Sequence, residues 1–135
     1  MASNVNLEIK AIKRFVNKAK RERYIQFVSS EKNRAKFIKD LSHYNFLESS
    51  LFIPVRGIEE HEILASTEKN GIANSTCYVI SDNKKIDAKF LDTKEAIAAT
   101  VGHGLGTLLV FGDAEMIFYE CETMNIRYIS KKVSQ

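Results

Sequence analysis

Apolar residues recur at intervals of three and four along the first part of the chain and then give way to short apolar runs. Ile9, Ile12, Phe15, Val16 and Ala19 fall on one helical face, and Phe27 with Val28 resume the stripe. Lys10, Lys13, Arg14, Lys18 and Arg21 mostly lie elsewhere around the helix. No Gly or Pro interrupts these residues, so a long amphipathic helix is predicted over about 6–28, bent or broken near Arg23-Tyr24. Ser29 and Ser30 suit the end of that helix and the cap of another. The second helix is predicted to reach about His43, with Ala35, Ile38 and Leu41 as its buried stripe and Phe37 flanking it.

Beyond Asn45 the pattern shortens. Leu51 to Val55 reads as an extended segment or edge strand, because Pro54 has no amide to give a neighbour. Residues 58–69 read as a short acidic helix closed by Asn70-Gly71. Thr76 to Ser81 has the β-branched and aromatic content of a strand, followed by a turn at Asp82-Asn83-Lys84-Lys85. Asp92-Thr93-Lys94-Glu95 resembles a capping box and starts a helix that turns Ala96, Ile97 and Val101 inward. Three strands are predicted after it: Thr107 to Phe111, apolar on both faces, then Glu115 to Glu122, then Ile126 to Lys131. Gly112-Asp113-Ala114 and Thr123-Met124-Asn125 supply the turns between them. The predicted class is therefore α+β, with N-terminal amphipathic helices covering the apolar face of a mainly antiparallel sheet of about four or five strands.

A length of 135 residues fits one domain, helical and basic over 1–45 and sheet-forming over 46–135. Residues 1–45 hold eleven Lys and Arg against four acids, a net of +7, whereas the remainder holds nine against thirteen, a net of −4. Such segregation can mark a surface that meets an acidic partner or a polyanion, but composition alone favours a basic helical layer that faces solvent or meets the acidic half of its own fold. Lys10, Lys13, Arg14, Lys18, Arg21 and Arg23 are the candidate binding residues, with Arg34 and Lys36 beyond them and Tyr24 and Phe27 as stacking faces. The pI of about 8.8 falls below the strongly basic range of nucleic-acid-binding domains, and no RRM, KH, zinc-finger or helix-turn-helix pattern is present. The leading expectation is a small binding or regulatory module that contacts a protein, and the alternative is RNA or DNA binding through the basic helix. Oligomerisation is compatible with either.

The chemistry-bearing residues are few. Gly102-His103-Gly104-Leu105-Gly106-Thr107 could bring amides to an anion, but it follows a helix and precedes a strand, the reverse of a dinucleotide fingerprint. A helix C-cap and tight turn explain it better, with His103 favoured by the helix dipole. Cys77 and Cys121 are too distant in sequence for a CxxC motif, and each sits in an apolar run. Paired with His103 in one pocket beside Gly104, Gly106 and Thr107, Cys121 would make a thiol-dependent enzyme, the third-ranked reading. Glu120 and Glu122 are expected on a solvated sheet face, paired with Arg127, and Cys121 on the opposite face. His43 and His61 read as surface residues. Glu60-His61-Glu62 lacks a second histidine where Ala65 stands, so no metal is expected, and no cofactor. The start of the chain carries no signal-like run and the purest apolar stretch, Leu108 to Phe111, is far short of a membrane span, so a cytoplasmic protein with reduced thiols is expected.

Overall fold

Asn4 opens the first helix, α1 (Val5–Phe15), its side chain accepting the Leu7 amide at 3.2 Å. The computed structural model describes residues 3–55, 62–65, 76–121 and 127–130. Val16 then leaves the helix for an extended conformation and bridges to Leu47. The Asn17 amide donates to the Phe46 carbonyl and the Glu48 amide to that of Phe15, both at 2.8 Å. Asn17 next caps α2 (Lys18–Val28) by accepting the Lys20 amide at 3.1 Å. The single helix predicted over 6–28 is therefore two, broken at Val16-Asn17 and not near Arg23. Neither Gly nor Pro is needed, because a β-branched residue accepts extended backbone and Asn is a strong N-cap.

The third helix, α3 (Arg34–Asp40), buries Phe37 and, just past its end, Leu41, while Ala35 is exposed and Ile38 is half-buried. Its inward stripe is rotated from the predicted one. The Phe37 ring sits 5.0 Å from that of Tyr24 on α2, so aromatic packing between the helices sets the rotation.

Among the described residues six antiparallel strands form one sheet: β1 (Phe52–Pro54), β2 (Thr76–Ser81), β3 (Phe90–Asp92), β4 (Thr107–Phe111), β5 (Met116–Glu120) and β6 (Arg127–Ser130), in the spatial order β1-β6-β5-β4-β2-β3. Pro54 is on an edge strand, as its missing amide requires. β3 adds to the predicted count. Its entry is a bulge at Ala88, which holds a left-handed φ of 61°. There the Ala88 amide reaches the Val79 carbonyl and the Val79 amide reaches that of Lys89. β5 starts at Met116 because Glu115 belongs to the turn, where Gly112 and Ala114 have φ of 60° and 58°.

Both faces of the sheet are covered. Tyr78, Ile80, Leu108, Val110, Ile117 and Tyr119 meet the layer of α1, α2 and α3. Val79, Leu109, Phe111, Met116, Phe118 and Ile129 meet Ala96 and Ile97 of α4 (Thr93–Thr100), together with Ile63 from the helical residues 62–65. Asp92 caps α4 by accepting the Lys94 amide at 3.1 Å. Full burial of β4 and β5 explains why they read as unbroken apolar runs instead of alternating ones. The class is α+β. Among the described residues no helix is long and apolar enough to cross a membrane. Most of the acidic segment 58–69, the pair Asn70-Gly71, the turn Thr123-Met124-Asn125, and His61 and Glu122 lie outside the described residues.

Candidate binding face and adjoining groove

Three of the six candidate cations hold the helical layer in place. Lys10 pairs with Asp113 in the β4–β5 turn, and the Arg14 guanidinium donates to the carbonyls of Asp113 and Ala114 at 2.8 and 2.9 Å. Arg21 donates to the Val16 carbonyl at 3.1 Å, tying α2 to the break that precedes it. Lys13, Lys18 and Arg23 are exposed and make no ion pair among the described residues.

Arg23 belongs to a small aromatic-cationic cluster. Its guanidinium lies 5.7 Å from the centroid of the Phe27 ring, and the Lys36 ammonium of α3 lies at the same distance. Phe27 is half-buried at the outer seam of α2 and α3, with Lys18, Lys32 and Lys39 exposed on the same pair of helices and their joining turn. Tyr24 is not a free stacking face. It is buried, donates to Asp40 at 3.0 Å, and its hydroxyl is held above its ordinary range by burial first and by Asp40 second.

Arg34 turns inward as well. Its fork donates to Glu8 at 2.7–3.1 Å on one side and to Asp87 at 2.6 and 2.9 Å on the other. Glu8 is fully buried and also accepts the Tyr78 hydroxyl at 2.7 Å, which in turn accepts the Asn4 amide. Burial alone would lower the Arg34 pKa, but the bonds to Asp87 and Glu8 outweigh it and hold the guanidinium firmly charged. Arg34 and Asp87 bring this network to the floor of a groove of about 590 Å³ between α3 and the β2–β3 connection. Ala35, Ile38 and Ala88 give it apolar wall, and Lys39, Lys84 and Lys89 stand around it with Glu31 and Asp82.

The glycine loop is occupied by internal contacts. Gly102 and Gly104 take φ of 79° and 69°, which ends α4 and turns the chain into β4. The Gly102 amide, which an anion would need, donates instead to Glu120 at 3.0 Å. A Cβ on Gly106 would collide with the backbone of Leu41, so this glycine marks a close approach of β4 to the end of α3. Thr107 is buried, donates to the Leu105 carbonyl at 3.1 Å and meets the Ser81 hydroxyl at 2.7 Å.

Glu120 does not lie on a solvated face. It is fully buried and accepts from the Arg127 Nε at 2.5 Å, because the second helical layer covers that face. Its pKa is raised by burial, which outweighs the opposing effects of Arg127, the Gly102 amide and His103. Cys121 and His103 engage different carbonyls: the thiol donates to Ser42 at 3.0 Å, and the His103 ring, exposed, is 3.1 Å from the Ala98 carbonyl. The loop histidine lies near Glu120, whose side chain points to the sheet face opposite that of Cys121. Cys77 is buried and its thiol is pushed up to about 12 by burial, with Asp92 adding to the effect. Among the described residues no group of three or more His, Cys, Asp and Glu side chains is placed to hold a metal ion. Comparison with protein-family models, curated proteins and solved structures finds no match for this chain.

Proposed function

We propose that the protein is a small binding module whose outer α2–α3 face docks an acidic segment of a protein partner. The observation that carries this reading is the Phe27 ring held at the helix seam with Arg23 and Lys36 each 5.7 Å from its centre. An aromatic ring with cations beside it offers a partner apolar area and charge at one spot, the composition of interface hot spots. The segregation of charge supports it, since the cations of α1 that fasten the fold are distinct from the exposed ones on α2 and α3.

The same cluster fits a nucleic-acid base stacked on Phe27 with phosphates on Arg23 and Lys36, which is the second reading. Fluorescence anisotropy separates them. A labelled polyglutamate peptide should bind at low salt, and R23E/K36E should abolish binding. Single-stranded RNA or duplex DNA binding at micromolar or tighter affinity, with a steep loss in salt, would favour the second reading. Failure of all three probes at low salt would sink both.

A further inference from the structure

The two flanks of α3 face different neighbours. Lys36 and Asp40 face α2, where they meet Phe27 and Tyr24, whereas Arg34, Ala35, Ile38 and Lys39 turn to the groove against the β2–β3 connection. We infer that an acidic partner held on this helical face anchors itself by placing one apolar side chain in the groove, its neighbouring carboxylates meeting Lys39, Lys84 and Lys89. The inference rests on the proposed function and adds the anchor to it.

The floor and the walls of the groove play unlike parts. In the floor, Arg34 already shares its donors between Glu8 and Asp87, and Asp87 also accepts the Ser81 amide at 2.9 Å. A charged group of a ligand would have to disrupt that network, whose members are largely desolvated, and a methyl or phenyl group would not. The walls suit such a group: Ala35, Ile38 and Ala88 are apolar, and the lysine stems extend the same lining. About 590 Å³ lies within the range of small-molecule pockets and has ample room for one leucine or phenylalanine side chain.

The charges at the rim narrow the partner further. Lys39, Lys84 and Lys89 make no ion pair among the described residues, so they are available to carboxylates. Glu31 and Asp82 stand among them, so a featureless polyanion meets repulsion as well as attraction. A segment whose register is fixed by an anchor can place its carboxylates at the lysines and avoid the two acids.

The experiment uses the full chain and two fluorescein-labelled peptides, one of glutamates with a single central leucine and one with serine in its place. The leucine peptide should bind roughly ten- to a hundred-fold tighter, the worth of burying one such side chain. Ala35 is exposed, so A35F should fold as the parent does, checked by far-UV circular dichroism. Its ring should plug the groove and bring the leucine peptide down to the affinity of the serine peptide. K39E should weaken both. Equal binding of the two peptides, or unchanged leucine-peptide binding to a folded A35F, would overturn the anchor and leave the docking face standing. Failure of both peptides to bind the parent protein would overturn the proposed function and the anchor together.

Discussion

Arg34 serves two carboxylates at once, and one of them, Glu8, has no exposure to water. Removing the arginine leaves a buried carboxylate whose remaining partner is the Tyr78 hydroxyl. R34A should therefore lose about 3–5 kcal/mol of stability, read as a fall in the urea midpoint. The Lys10–Asp113 pair is a useful contrast. Its side chains are 41% and 52% exposed, so solvent screens the attraction and K10A should cost no more than about 1 kcal/mol. Lys10 and Arg34 look alike as text within one basic region, yet Arg34 is tied to a buried carboxylate and Lys10 sits at the surface. Composition alone carries no information on that difference.

At the level of elements, the break between α1 and α2 depends on Asn17. Its side chain accepts the Lys20 amide at 3.1 Å and donates to the Asn45 carbonyl at 3.0 Å. N17A should lower stability by about 1 kcal/mol without fusing the helices, because the Val16–Leu47 bridge remains. Equal helical signal in circular dichroism with a lower thermal midpoint is the expected pair of results. A helix broken at a valine and an asparagine shows how far patterning could lead. Periodicity predicts helix over about 6–28, where α1 and α2 lie on either side of their break, the Asp92 cap is readable from its capping-box pattern, and the run from Leu108 to Phe111 announces an interior strand. The position of the break could not be read, since it is imposed by Phe46 and Glu48, some thirty residues away in the chain. Nor could β3, three residues long and entered through a left-handed alanine. For the candidate face, Arg23 and Phe27 were legible from their types. Lys36 was named with them, but its place beside Phe27 and the inward turn of Arg34 depend on how α3 packs, as do the groove walls.

For the molecule as a whole, a sheet covered on both faces concentrates hydroxyl and thiol groups in dry surroundings. Cys77 is pushed up to about 12, and Tyr24, Tyr78 and Tyr119 are likewise held above their ordinary value of 10.0, each by burial first. In the unfolded chain these groups release protons from about pH 9 upward, while the folded protein retains them. The folded state thus binds more protons in this range, so the stability these groups contribute is full below pH 9 and declines as pH rises through and beyond 12. Urea midpoints measured across alkaline pH should fall steadily, and alkylation of Cys77 should be slow until the protein unfolds. A flat profile above pH 9 would contradict this account of the core.

The order of the strands has a consequence for a chain made from its N-terminus. Among the described residues β1 pairs with β6 alone, so Phe52–Pro54 must wait for Arg127–Ser130, the strand that follows all the others of the sheet in the chain. The apolar stripe of α1 to α3 waits almost as long, because Leu108, Val110, Ile117 and Tyr119 belong to the strands it covers. On the ribosome the helical layer therefore emerges with its inner face uncovered, and the net charge of +7 over residues 1–45 opposes association of such chains through that face.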